Sequence, residues 1–174
     1  MATKKRHDAR RICVMGVSGA GKTAVGSLLA GALGVAYLDG DELHSADNVR
    51  RMARGIPLTD DDRRDWLTAI ASRLAAAQQA GTGLVVSCSA LRHAYRDVLR
   101  RADAAMRFVH LSGDPALIAQ RLSRRVGHFM PAGLLDSQLA TLEVPTPEEQ
   151  AWTLDLADTP ESIVAQIMAR PEQA

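Results

Sequence analysis

The stretch GVSGAGKT, Gly16–Thr23, decides the fold. It fits G-x-x-x-x-G-K-[ST] at every defined position, directly after the apolar run ICVM and at the start of a helical pattern that opens with Lys22. That context is what the spacing demands physically. Glycines let successive backbone N–H groups wrap around phosphate oxygens, and the following helix turns its unpaired amides and positive dipole end toward the same anion. Gly16, Val17, Ser18, Gly19, Ala20, Gly21, Lys22 and Thr23 are therefore expected to hold a nucleotide. Lys22 would reach the β- and γ-phosphates, and the Thr23 hydroxyl would face Mg²⁺.

Outward from this loop, short apolar runs alternate with helical patterns. ICVMGV, VAYLDG, GLVVSCS, MRFVHLSG and WTLDLAD read as strands buried on both faces of a sheet. Between and after them, helices are expected over Lys22–Leu33, Asp41–Arg54, Asp62–Gln79, Ala90–Ala102, Pro115–Arg125 and Leu134–Glu143, with a last one from Thr159. Alternation of this kind predicts an α/β fold, a parallel sheet with helices on both faces. Thr59, followed by acidic residues, and Thr159, followed by Pro160, mark two helix starts. VPTPEEQ (Val144–Gln150), the least patterned region, reads as a surface connection.

With 174 residues the chain suits one domain, expected over 11–174 after a basic tail at 1–10. Hydrophobic residues are 47% and charged residues 24%, ordinary for a globular protein, while 3% aromatics predict an aliphatic core. The net charge of +1 gives no global field for nucleic acid or an anionic membrane, so neither is expected as a partner. No apolar run approaches the ~18 residues of a membrane span. A cytoplasmic protein is expected, with Cys13 and Cys88 as reduced, buried thiols.

A nucleotide loop by itself does not choose among switch, motor and kinase. The later strands lack the terminal aspartate with which many ATPases hold Mg²⁺, and no guanine-reading N-K-x-D occurs. The carboxylates must come from elsewhere, and LDGDELH (Leu38–His44) supplies two of them one glycine apart. Asp-Gly is also a common turn dipeptide. Beside the phosphate loop, however, Asp39 and Asp41 end a strand on the edge where ligands of parallel sheets bind. One would lean toward Mg²⁺, and the other would orient an acceptor hydroxyl and take its proton. Arg121 and Arg125 are spaced to share a helix face, which suits a lid around 121–135 that clamps the transferring phosphoryl group.

The motifs MGVSGAGKT, LDGDELH, NVRRMARGIPLTDDDRRDWL, CSALRHAYRDVLR, FVHLSGD and RLSRRVGHFM followed by LLDSQLATLE resemble, in this order, the bacterial and eukaryotic gluconokinases of the P-loop kinase superfamily. The likeness runs from Ile12 to Glu143. It implies an adenylate-kinase- or shikimate-kinase-like fold with a five-stranded parallel sheet, ATP and Mg²⁺ as cofactors, D-gluconate phosphorylated at its terminal hydroxyl, and a homodimer. Carried over by position, Gly16–Thr23 hold the triphosphate, Thr23 and Asp39 face Mg²⁺, and Lys22, Asp41 and Arg125 serve the chemistry. Arg121 joins Arg125 at the nucleotide, and His44 lies beside the sugar acid. A carboxylate calls for an arginine fork, and Arg50, Arg54, Arg92 and Arg96 are candidates, Arg54 and Arg96 foremost, with His128 and Gln138 as further polar contacts. Ser45, Asp65, Ala94 and Leu139 depart from the family pattern on the acceptor side. A kinase of another sugar acid or of shikimate, and a nucleotide-binding sensor without turnover, stay open at this point.

Overall fold

The computed structural model describes residues 9–125 and 132–171. Five strands, β1 (Arg11–Met15), β2 (Ala36–Asp39), β3 (Leu84–Ser87), β4 (Arg107–Ser112) and β5 (Trp152–Asp155), form one parallel sheet in the order β2-β3-β1-β4-β5. The helices are α1 (Lys22–Leu33), α2 (Ala46–Ala53), α3 (Asp60–Ala80), α4 (His93–Ala102), α5 (Pro115–Ser123), α6 (Ala132–Thr141) and α7 (Pro160–Met168). Both faces of the sheet are covered, which is why the strands read as continuous apolar runs.

Strand β1 lies at the centre, and its side chains alternate between two cores. Ile12 and Val14 pack with Val25 and Leu29 of α1, Ile118 of α5, Leu135 of α6 and Ile163 of α7. Cys13 and Met15 pack on the opposite face with Trp66, Ile70 and Leu74 of α3 and Leu99 of α4. Cys13 and Cys88 are buried and free. A hydrogen bond to Cys88, then burial, pushes the Cys13 thiol well up, as befits inert structural thiols.

The expected helix starts form. Thr59 and Asp62 make a capping box at α3, and the Thr159 hydroxyl accepts the Ser162 N–H at 3.2 Å. The helix expected over Asp41–Arg54 is instead a 3₁₀ turn (Gly40–Leu43) followed by α2. Ser45 breaks it: its hydroxyl accepts the Asn48 N–H at 3.1 Å, which starts a new helix. Helix α5 likewise stops at Ser123, so Arg125 lies beyond the helix rather than on one face of it with Arg121.

Two further expectations fail for one reason. Val144–Gln150 is not merely a surface connection, because it carries Glu149, whose side chain is 3% exposed. Arg96, expected at the substrate, is 0% exposed and binds that carboxylate through Nε at 2.6 Å and Nη2 at 2.8 Å, while its Nη1 donates to the carbonyls of Ala90 and Leu91. Arg100 adds a third bond to Glu149 at 2.9 Å, and His93 Nδ1 lies 3.1 Å away. Burial alone would push the Glu149 carboxyl up; the bonds from Arg96, His93 and Arg100 overcome it and hold the group far below its ordinary 4.5. The cluster ties the connection between α6 and β5 to α4.

Replacing Glu149 by alanine strands a buried guanidinium and is expected to cost about 3–5 kcal/mol, measured by urea denaturation. Because the folded state depresses this pKa, the contribution of Glu149 is complete above pH 4.5 and is lost progressively below it. The acid limb of the stability profile is therefore shallower in Glu149→Gln than in the parent.

Candidate active site

The loop after β1 is held by backbone hydrogen bonds, one to the chain just past β3 and one within the loop. The Gly16 N–H donates to the Ser89 carbonyl at 3.3 Å and the Ala20 N–H to the Val17 carbonyl at 3.2 Å. Gly19 and Gly21 have φ of +82° and +98°, a conformation that side-chain-bearing residues rarely adopt. A Cβ on Gly19 would also lie 2.7 Å from Leu122 Cγ, so α5 is seated on the loop. Lys22 Nζ donates to the Val17 carbonyl at 3.0 Å, across the mouth of the loop. Burial lowers the Lys22 pKa; Asp41 and Asp39 push it back up, and Arg125 adds to the lowering. Arg125 is therefore close enough for its charge to act on the loop lysine.

Strand β2 delivers the carboxylates to the same edge. Its last residue, Asp39, is in register with Ser87, the last of β3. The Asp39 carboxylate accepts from Thr23 Oγ1 at 3.3 Å, from Ser87 Oγ at 3.3 Å and from the Asp41 N–H at 3.0 Å. Tyr37 steadies Ser87 through a 2.8 Å hydroxyl pair. A side chain at Gly40 would place its Cβ 2.4 Å from the Ser87 carbonyl oxygen, which explains the glycine between the two aspartates. Asp41 itself is exposed, and its charge acts on both Lys22 and His44. It thus stands between the nucleotide loop and the residues beyond.

Those residues are built on α3. His44 stacks on Trp66 with ring centroids 4.2 Å apart and planes 14° from parallel, and Trp66 Nε1 donates to the Gly40 carbonyl at 2.7 Å. Burial lowers the His44 pKa, Asp41 raises it, and Arg63 lowers it. Its Nδ1 is buried with no hydrogen-bond partner among the described residues. Arg63 reaches Tyr95 Oη at 3.1 Å, with its guanidinium 5.5 Å from that ring's centre. Tyr95 donates to Asp60, which also pairs with Arg92 at 3.2 Å. Asp60, Arg63, Arg92, Ser137, Gln138 and Thr141 line a cleft of about 420 Å³. Gln138 Oε1 also accepts the Ser18 N–H of the loop at 2.7 Å.

The structure thus brings Gly16–Thr23, Asp39, Asp41, His44, Arg92 and Gln138 to one sheet edge, with Arg125 nearby, and adds Arg63, which motif reading passes over. Its signal was present: 63, 66, 67, 70 and 74 follow the helical period of the buried face of α3, so Arg63 is a charge on an apolar stripe. Arg50 and Arg54 line a second cleft, of about 850 Å³, between α2 and the start of α3, which shares Trp66 with the His44 stack but contains no residue of the loop and neither Asp39 nor Asp41. There Arg50 pairs with Asp47 on the exposed surface. Arg96 is in the core, as described, and Arg121 is half-buried on α5. His128 lies outside the described residues.

Comparisons with known proteins agree with this geometry. A family model described as an AAA domain matches residues 12–145. Gluconokinase of Gluconobacter oxydans is 45% identical over 91% of this chain and 89% of its own length. The crystal structure of a gluconokinase from Sinorhizobium meliloti superposes with a TM-score of 0.84 at 46% identity, covering 94% of this chain and 92% of that one. Shikimate kinase of Aquifex aeolicus, at 16% identity and a TM-score of 0.57, shares the fold alone. A nucleotide loop facing strand-end carboxylates, with sequence likeness across nearly the whole chain, means that this protein belongs to the gluconokinase family of P-loop kinases.

Proposed function

We propose that this chain transfers the γ-phosphoryl group of ATP to the terminal hydroxyl of D-gluconate, giving 6-phospho-D-gluconate and ADP. The observation that carries this reading is the end of β2, where the Asp39 carboxylate takes Thr23 Oγ1 of the nucleotide loop at 3.3 Å and the Asp41 N–H at 3.0 Å and so sets both aspartates beside that loop. Family membership supplies the identity of the acceptor.

Each residue then has a task that its chemistry allows. The loop amides and Lys22 bind the phosphates and cancel their charge. Asp41 orients the acceptor hydroxyl and takes its proton as the new P–O bond forms and the bond to ADP breaks. Asp41 also opposes the lowering of the Lys22 pKa that burial causes. Arg125 faces the charge that develops on the transferring group. Thr23 Oγ1 and the Asp39 carboxylate, 3.3 Å apart, are hard oxygen donors of the kind Mg²⁺ takes. They would hold Mg²⁺, which when bound neutralises phosphate charge.

On the acceptor side, the 420 Å³ cleft offers two guanidinium groups, Arg63 and Arg92, for a carboxylate and the polar tips of Ser137, Gln138 and Thr141 for hydroxyls. His44 is aligned on the acceptor side by its stack on Trp66. A homodimer and a cytoplasmic location, where ATP is supplied and thiols stay reduced, complete the reading.

An ADP-release assay with Mg-ATP against gluconate, other aldonates, shikimate and glycerate is expected to show turnover with gluconate above the rest; no turnover with any acceptor overturns the enzymatic reading. Asp41→Asn is expected to lower kcat by about 10²–10⁴-fold, the usual worth of a positioned base, with ATP affinity nearly intact. Near-normal turnover would remove Asp41 from that role. Arg63→Ala is expected to raise KM for gluconate about 10–100-fold, the loss of one charge-assisted hydrogen bond, while KM for ATP stays within about twofold. An unchanged gluconate KM moves the carboxylate to Arg92.

A further inference from the structure

Trp66 of α3 grips the turn after β2 at both of its ends. Its Nε1–H donates to the Gly40 carbonyl at 2.7 Å, and its ring stacks on His44 with centroids 4.2 Å apart. Asp41 lies between these two contacts, on the 3₁₀ turn Gly40–Leu43. Trp66 is 2% exposed, so the hydrogen bond is shielded from water.

The Gly40 carbonyl and the Asp41 N–H belong to one peptide group. That group is planar and trans, so its two polar ends point in opposite directions. Asp39 Oδ1 accepts the N–H at 3.0 Å while Trp66 holds the carbonyl, and the plane is clamped from both sides. A clamp has work to do here. Residue 40 must be a glycine, because a Cβ would lie 2.4 Å from the Ser87 carbonyl oxygen and 3.2 Å from Ile70 Cδ1. A glycine leaves the ψ before this peptide unrestricted by any side chain. Loss of either hold lets the peptide tilt, and the Cα of Asp41 moves with it.

The same indole ties the turn to the wall of the acceptor cleft. Trp66 follows Arg63 by three residues, a rise of about 4.5 Å along α3, and Arg63 lines that cleft. The turn that presents Asp41 is thus set against the helix that presents Arg63, and not against the sheet alone.

We propose that Trp66 is a positioning residue for phosphoryl transfer: by holding the Gly40 carbonyl, its indole N–H fixes Asp41 where it meets the acceptor hydroxyl, at a set distance from Arg63 on the same helix. The proposal rests on the functional reading above. Its consequence falls on kcat, because the nucleotide loop makes no contact with the indole.

The test uses full-length protein with Trp66→Phe and, as the closer isostere, with benzothienylalanine placed at position 66. The latter keeps the bicyclic ring and its stack on His44 and lacks only the N–H donor. Each replacement is expected to lower kcat with gluconate about 10–100-fold, up to the scale of a ~1 Å misplacement, while KM for ATP stays within about twofold. In an Asp41→Asn background the same replacements are expected to change kcat by less than about twofold, since no base is left to misplace. A residue that only stabilised the fold would act by the same factor in both backgrounds. Equal factors therefore overturn the proposal, as does a normal kcat with benzothienylalanine. Amide hydrogen exchange, followed by NMR without substrates, reads the clamp directly: the Asp41 N–H is expected to exchange about fivefold faster once the indole N–H is gone, the worth of one neutral hydrogen bond. Unchanged exchange also overturns the proposal. If the parent fails to phosphorylate gluconate, the functional reading fails instead, and the exchange measurement, which needs no acceptor, still decides whether Trp66 holds the turn.

Discussion

The carboxylate of Asp39 accepts hydrogen bonds from three separate parts of the chain: the first turn of α1 through Thr23, the end of β3 through Ser87, and its own turn through the Asp41 N–H. The rest of the site hangs on this junction. A carboxylate with three donors is fixed in direction, and a fixed Asp39 sets where the chain turns, hence where Asp41 stands relative to Lys22. The parallel register that puts Asp39 beside Ser87 leaves no room for a side chain at Gly40. The glycine is thus a steric necessity before it is a turn residue, and its freedom of φ is incidental.

Charge is treated in two opposite ways in the same small protein. Arg96 and Glu149 are removed from water and saturated with partners, a geometry in which either group alone would be costly and the pair closes a connection onto α4. Around Asp41 and Arg125, both exposed, no such saturation exists among the described residues. Polar groups fully satisfied by the protein cannot also bind a ligand, whereas groups left to solvent can exchange water for substrate. By that criterion Arg96 is spent on the fold. Arg50 and Arg92 each make one exposed pair, with Asp47 and Asp60, and differ in the cleft they line. Arg63 and Arg92 keep donors on the wall of the cleft.

The same distinction explains what could be read from the sequence. The loop Gly16–Thr23, the strand ends and the caps at Thr59 and Thr159 depend on residues within a few positions of one another, and all of them form where local spacing puts them. Arg96 misled because YRD near a strand end looks like a substrate contact, while its true partner is 53 residues away in a stretch with no pattern of its own. Arg63 was hidden by the acidic run Asp60–Asp62, which reads as a helix start and is one. Only the packing of Tyr95 against it, 32 residues on, shows that this turn of α3 also faces a cleft. The single helix expected over Asp41–Arg54 failed more locally, because Ser45 caps a new helix where periodicity alone sees continuity.

The contact between Gly19 and α5 adds a constraint on motion. Leu122 and Ile118 approach Gly19 so closely that a Cβ there would lie 2.7 Å from Leu122 Cγ and 3.1 Å from Ile118 Cγ2. The phosphate loop is therefore the floor on which the last turn of α5 rests. Close-packed contacts of this kind do not stretch continuously; they hold or they break. Arg125 follows Leu122 by three residues, and the Arg125 N–H returns to the Leu122 carbonyl at 3.2 Å, so its distance from Lys22 is set by the same seat. A rearrangement that carried α5 away from the nucleotide would have to unpack the loop itself. In the described chain α5 thus serves as the fixed base for the side chain of Arg125.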